Sequence, residues 1–558
     1  MMIRKLAVIA VLLCVAAPAA VCQAHKPSPA AKAAYEEARA PISKGFAGDP
    51  KEMSKAVDLL KKAVTLDPDY YDAQQEYIMM YAFAAAPDTL SQDSKKSEAA
   101  EPARKKAQKE VEVQYLKLAA EHPDKAVYQW ALGWIYEYDN PDKSVEYYKQ
   151  AVKLDPHCGP ALDSLGIAAE EHGDLELSED YARRAYEAWP DDAHLWRHYV
   201  GAYTSVPTQE NIEKAKQIVL AGADKFPEEA ANMLSYTASR TTDETQAREM
   251  YELVQQRFPN GAKGYTLIPL FNLYMKSDRA KALALADSMV KADAKDKQWP
   301  QLQSYAKALT DADDLAGKGE FDKAIALLDG VKLPGHHLVD GRWLDIEKAK
   351  VLAAQGNNKD AYALLLKAYA ATPSDEVHTA LNSSGEKLGK SADQIAVEIN
   401  TARAAAAKPG IPFMLTDYAT GKPVSLSDYK GRVVLVNFWY PKCGPCRGEF
   451  PYLQMSLEKY KSQGFEILAI NGHPPEDSWV MPLVHGWHLG FIPLKGTEDL
   501  LKEYKVRGFP ENFLYGADGK IYPMPSQVRP TTLREFQLQV EALLQQANAG
   551  GNTAAVAK

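Results

Sequence analysis

The feature that reaches furthest along this chain is a helix-pair spacing that repeats. One unit runs through Leu132-Gly133, Tyr136, Tyr148, Ala151 and Asp155-Pro156. The next runs through Leu165-Gly166, Ala169, Gly173-Asp174, Ala182, Ala185 and Pro190, which places its closing proline 34 residues after Pro156. Ends of the same type recur at Pro68, Pro123, Pro227, Pro259 and Pro373, and the steps from Pro68 to Pro259 are 55, 33, 34, 37 and 32 residues. A helix pair of this size cannot bury its apolar face alone, so neighbouring pairs must stack. The prior of ~150 residues per domain would divide this chain into three or four globular domains, and the repeats cancel that count for most of its length.

These units resemble the tetratricopeptide repeat (TPR), with small and apolar residues at fixed places and a proline closing each pair. The resemblance implies an all-α TPR solenoid over residues 25–407, about eight units, whose concave face takes a protein or peptide. The 55-residue step reads as one unit plus an insertion in the polar stretch from Pro87 to Pro102. Between Pro259 and Pro373 the pattern fades, although Ala280 to Met289 and Ala324 to Leu328 keep the look of second helices. Closing helices follow to the Ala-rich TARAAAAKPG, where Lys408-Pro409-Gly410 breaks the pattern. A spacer role, with the repeats only holding the C-terminal domain away from something else, is the plainer alternative.

Residues 1–24 have a positive start (Arg4, Lys5), an apolar core from Leu6 to Ala17 and a small residue at Ala24, the signature of a secretory signal. The apolar run is short for a membrane span. Export to the bacterial periplasm or cell envelope is expected, with an N-terminal anchor through Cys22 as the minor alternative. Of five cysteines, Cys14 and Cys22 lie in the signal, leaving Cys158, Cys443 and Cys446. One close pair cannot staple so long an exported chain, so the pair is left for chemistry and Cys158 is expected to be an inert thiol. A net charge of −9 without a basic, aromatic-bearing stripe argues against a nucleic-acid partner.

After residue 408 the pattern changes to short strands alternating with helices, which means an α/β domain with a mixed sheet over 408–548, followed by a flexible tail, 549–558. Its centre is VVLVNFWYPKCGPCRGEFP, Val433 to Pro451. The first seven residues read as a strand buried on both faces, and Phe450, Leu453, Leu457 and Tyr460 give the helix after it. Two cysteines two residues apart at a strand-to-helix turn make a redox motif, because unpaired N–H groups and the dipole at a helix start stabilise a thiolate.

KPVSLSDYKGRVVLVNFW, CGPCRGEFP and VRGFPENFLYGADGKIY resemble, in order and spacing, the exported thioredoxin-like oxidoreductases of the TlpA/ResA type. The resemblance covers about residues 409–546 and implies a thioredoxin fold with extra N-terminal strands. It also implies a cis Pro510 facing the cysteines, with Phe509, Pro510 and Trp439 on the substrate side and the Phe509 backbone open to an extended partner segment. Thioredoxins proper carry an acid where this strand has Asn437. The TlpA/ResA type instead tends to have a Glu three residues after the second cysteine, here Glu449. Lys442 stands where an aromatic is common, and its charge is expected to favour the Cys443 thiolate.

The expected chemistry is attack by Cys443 on a protein disulfide and resolution by Cys446, with Glu449 accepting the proton and no cofactor beyond the redox-active Cys443–Cys446 pair. Gly-Pro between the cysteines is the thioredoxin choice, for which the potential is about −270 mV, so reduction is favoured over oxidation or isomerisation. A membrane electron donor is then implied. Two other readings are a repeat scaffold with a docking module and a thiol peroxidase, though the latter lacks Pro-x-x-x-Thr-x-x-Cys around Cys443. His485 and His488 on one helix face lack a third metal ligand, His336-His337 reads as loop, and no metal is expected.

Overall fold

The computed structural model describes residues 25–556 except 91–93, 138, 259–263, 334, 336–338 and 340. The signal segment, the repeat end at Pro259 and His336-His337 lie outside the described residues. The chain forms two compact units, one of residues up to Leu165 with Tyr181–Leu195, the other of Gly166–Asp180 with Trp196 onward.

The first unit is built from helix pairs. In the clearest one, Ala126–Tyr136 turns back as Pro141–Leu154, with the Asn140 side chain accepting the Lys143 N–H and Pro141 at the first helical position, where no N–H is needed. The Leu-Gly pair of the repeat has a packing reason. A Cβ on Gly133 would lie 2.5 Å from the Tyr148 ring, so glycine is what lets the two helices close on the tyrosine. Tyr71, Trp130, Tyr115 and Leu132 belong to the core beside it. Cys158 is in that core too, with its sulfur 3.2 Å from the Tyr71 hydroxyl, and burial pushes its thiol up to about 12. The polar stretch from Pro87, where the insertion was expected, holds regular structure. It has a short 3-10 turn at Pro87–Leu90 and the 28-residue helix Ser94–Glu121, with Pro102 inside that helix.

The second unit holds the remaining helices and the sheet. Repeat-like helices persist where the sequence pattern fades, as Arg279–Ala292 and Phe321–Asp329, capped in the first case by Asp278. Asp311 and Asp313 fall inside the helix Trp299–Gly317, where Asp313 pairs with Arg279 and Lys350. The last helix of this all-α, repeat-like region is Ala392–Ala406, opened by a capping box of Ser391 and Gln394.

The strands are β1 (Lys408–Pro409), β2 (Met414–Thr416), β3 (Pro423–Ser425), β4 (Val433–Trp439), β5 (Phe465–Asn471), β6 (Ile492–Lys495), β7 (Glu511–Tyr515) and β8 (Lys520–Tyr522). The six-stranded sheet has the order β1-β8-β7-β4-β5-β6, with β4, β5 and β6 parallel and the others antiparallel, while β2 and β3 form a separate hairpin. Lys408-Pro409 is therefore more than a helix breaker, since it adds the edge strand beside β8. The helix Pro530–Val556 runs on through most of the stretch expected as a tail.

All seven residues of β4 are buried, because both faces are covered. Side chains alternate across a strand, so Val434, Val436 and Phe438 feed one core with Tyr504 and Tyr515. Val433, Leu435 and Trp439 feed the other, with Phe450, Leu453 and Leu457 of the helix Gly444–Tyr460 and Phe536 and Val540 of the final helix. By the same parity Asn437 faces the helix that carries the cysteines. Among the described residues no helix is long and apolar enough to cross a membrane.

Replacing Gly133 by Ala tests the close approach in the helix pair. Helix propensity alone would stabilise the variant by about 1 kcal/mol. The methyl against the Tyr148 ring should reverse that sign and cost about 1–3 kcal/mol, read as a lower midpoint for the helical transition in thermal unfolding.

Candidate active site

β4 ends at Trp439, the chain crosses Tyr440, Pro441 and Lys442, and the helix Gly444–Tyr460 begins with Cys443 as its N-cap. The Cys443 sulfur accepts the Cys446 N–H at 3.2 Å, so one otherwise orphaned donor of the helix start points at the atom that would carry negative charge. Cys443 and Cys446 are joined in a disulfide with their Cα atoms 5.2 Å apart. Cys446 is fully buried and Cys443 is 3% exposed. Leu175 and Val206 of the helical region and Phe509 and Tyr440 of the sheet domain pack against the core cluster that contains both.

Glu449 lies one turn further along the helix and is 1% exposed. Its carboxyl accepts from three groups. Asn437 Nδ2 is at 2.9 Å from Oε1, Asn512 Nδ2 is at 3.1 and 3.2 Å from the two oxygens, and the Val528 N–H is at 3.2 Å from Oε2. Burial drives the carboxyl up to about 7, and these hydrogen bonds hold it from going higher. Asn437 is thus the donor that steadies a buried acid from the helix, in the strand position where a thioredoxin would have its own. Asn512 and the Val528 N–H were not foreseen. A polar residue two positions after Pro510 was the available signal for the first, while a backbone donor leaves none.

The loop before Cys443 is held by charged side chains. The Lys442 N–H donates to Glu476 Oε2 at 2.8 Å, and His473 Nδ1 stands 3.1 Å from Oε1 of the same carboxylate. Burial raises the Glu476 carboxyl, against the Lys442 N–H and the neighbouring His473 and Lys442 charges. The Lys442 ammonium itself lies over the Trp479 ring, 5.4 Å from its centroid, so its field is divided between an aromatic face, the Glu476 carboxylate and the cysteine it was expected to tune.

The Phe509–Pro510 peptide is cis. The Phe509 ring packs so closely over Gly472 that a Cβ there would come within 2.5 Å of it. Pro510 is buried and Phe509 half-buried, and Trp439 does not stand on an accessible face beside them. It is 1% exposed and edge-on to Phe450 at 5.1 Å, because strand parity turns it into the core under the helix. The aromatic beside Phe509 is Tyr440, with ring centroids 5.2 Å apart, and His473 flanks it at 5.5 Å. His485 and His488 do not share a helix face either, since the helix Asp477–Gly486 ends between them and His488 has φ 52°.

The buried acid makes a pH prediction. A carboxyl raised from 4.5 to about 7 in the folded state keeps its proton there while the unfolded chain loses it, so this group's contribution is full below pH ~4.5 and is lost as pH rises through 7. Between pH 5 and pH 8 wild type should lose roughly 2–3 kcal/mol of unfolding free energy that Glu449→Gln does not lose. Urea unfolding of both proteins at the two pH values measures the difference.

Residues 406–524 match the AhpC/TSA family. "Thiol-disulfide oxidoreductase ResA" of Bacillus thuringiensis subsp. konkukian is 36% identical over 110 residues, which are 20% of this chain and 62% of that protein. The ResA of Geobacillus kaustophilus is 38% identical over 110 residues, again 20% of this chain and 62% of that one. The chain therefore spans less than two thirds of the length of these curated relatives. Among solved structures, the thioredoxin domain of a thiol-disulfide oxidoreductase from Bacteroides vulgatus is 29% identical and covers 23% of this chain and 91% of its own, with a TM-score of 0.21. The domain C-terminal to the helical repeat-like region is thus similar to the thioredoxin-like ResA proteins, with its cysteine pair at the matching motif.

Proposed function

We propose that this protein is an exported thiol-disulfide oxidoreductase of the bacterial cell envelope that reduces protein disulfides through Cys443 and Cys446, with TPR units recruiting its clients or partners. The observation that carries the reading is the Cys443–Cys446 disulfide at a helix start, one turn before a buried acid whose carboxyl is pushed up to about 7 by burial, in a domain that also has a cis Phe509–Pro510. An acid at that value is half ionised near neutral pH, where it can take a proton from one sulfur and return it in the reverse step.

The Cys443 thiolate attacks one sulfur of the client disulfide, and a mixed disulfide forms as the other client sulfur leaves as a thiolate. The Cys446 thiol gives its proton to Glu449 and attacks the Cys443 sulfur, which releases the second client thiolate and leaves the pair oxidised. Two electrons have passed to the client, so the pair needs a dithiol or membrane electron donor to be reduced again. The Phe509 backbone offers the edge along which an extended client segment pairs. Run backwards, the same steps oxidise a client, and the potential of the pair decides the direction.

Cys446→Ser removes the resolving sulfur and should accumulate client adducts through Cys443 that dithiothreitol releases. Expression in a bacterial envelope, followed by mass spectrometry of the released proteins, identifies them. Absence of adducts from Cys446→Ser, when Cys443 remains alkylatable, rules the mechanism out.

A further inference from the structure

The three residues that present Cys443 are held from two sides by charges of opposite sign. On one side is the Glu476 carboxylate, which accepts the Lys442 N–H. On the other is Arg447, whose Nη1 donates to the Pro441 carbonyl at 2.8 Å. The same guanidinium reaches Glu170 through Nε at 3.3 Å and Glu171 through Nη1 at 3.5 Å. Both carboxylates come from the end of the helix Gly159–Glu171 in the helical region, more than 270 residues upstream. The Arg447 side chain is 10% exposed and that of Glu171 8%, so this is a desolvated charge group rather than a surface pair.

The surroundings are built to keep it there. Trp487 Nε1 donates to the Glu170 carbonyl at 3.1 Å, and the His172 ring meets Trp479 edge-on at 5.2 Å. Gly173, with φ 88°, lies directly against Gly486, so that a Cβ at either position would strike the other's backbone. Arg240, also from the helical region, donates to the Gly448 carbonyl at 2.8 Å and accepts the Tyr452 hydroxyl on its own carbonyl at 2.6 Å.

We propose that Arg447 is a positioning residue for the redox pair and that Glu170 and Glu171 hold it in place, so the reactivity of Cys443 is set by the helical region as well as by its own domain. This rests on the oxidoreductase reading above. Arginine suits the task because a planar fork can serve a carbonyl and two carboxylates together, which an ammonium cannot. The two glutamates also decide how much of the guanidinium charge acts on the cysteine loop. With them the cation is largely neutralised, and without them it would favour the thiolate. The other charges facing this loop are Lys442 and the Glu476–His473 pair, with Glu449 behind Cys446.

The test measures iodoacetamide alkylation of Cys443 against pH in the reduced full-length chain, together with the potential of the pair in glutathione buffers. In the double variant Glu170→Gln, Glu171→Gln the alkylation midpoint should fall by roughly half a pH unit or more, with a more oxidising pair. In Arg447→Gln it should rise, and Arg447→Lys should restore the charge but recover the wild-type profile only in part. Opposite shifts are the signature, because simple loosening of the contact would move both variants the same way. Arg240→Gln, which weakens the contact away from the loop, should keep the wild-type midpoint. Shifts of equal sign, no shift, or an Arg240→Gln shift as large as that of the double variant would overturn the proposal. Alkylation needs no client, so opposed shifts in a protein that reduces no disulfide would reject the oxidoreductase reading and leave the positioning role standing.

Discussion

The buried carboxyl of Glu449 is the interaction on which the redox domain turns. Removing a carboxylate from water costs several kcal/mol unless donors replace the water. Here the donors come from β4 (Asn437), β7 (Asn512) and the Val528 backbone ahead of the final helix. One acid thus ties the cysteine helix to three other parts of the domain. Those hydrogen bonds are too few to offset burial fully, which is why the group stays near 7 instead of returning to an ordinary carboxylate value. The same balance that makes the acid a liability for stability at high pH gives it a proton affinity suited to a thiol.

On the other side of the disulfide, the loop from Tyr440 to Cys443 is held by charged groups as well as by apolar packing. Glu476 holds an N–H and Arg447 holds a C=O, each buried and each with a further ionisable partner. Only one of those partners, His473, belongs to the redox domain. The glutamates behind Arg447 come from the helical region, and their segment also meets the helix Asp477–Gly486 through Gly173 and Gly486. Those contacts bring two buried or half-buried carboxylates of the helical region to the guanidinium that holds the Pro441 carbonyl.

Much of this architecture was legible in the chain. The two-sided apolar run at β4, its alternation, and the cysteines at a strand-to-helix turn were enough to place an α/β redox domain after residue 408. The repeat spacing was enough for stacked helix pairs. What misled was local reading of residues whose place is decided by distant packing. Trp439 was expected on the substrate side from the family resemblance, yet strand parity buries it and leaves Tyr440 beside Phe509. Lys442 was expected to favour the Cys443 thiolate, and the packing that sets its ammonium over the Trp479 ring could not be read from the motif. Lys408-Pro409 read only as a break, and pairing with β8 made it a strand.

Local periodicity and motif spacing are properties of neighbouring residues, and they determined by themselves the helix pairs, the buried strand, the cysteine at a helix start and the acid one turn below it. The partners of that acid and of the loop are separated from it by tens to hundreds of residues. Asn512 reaches Glu449 only because β7 lies against β4, and Glu170 reaches Arg447 only because its segment, Gly166–Asp180, packs in one unit with the cysteine helix. Hydrogen bonds and ion pairs act over a few ångströms whatever the distance along the chain, so the tertiary structure alone decided which charges surround the disulfide.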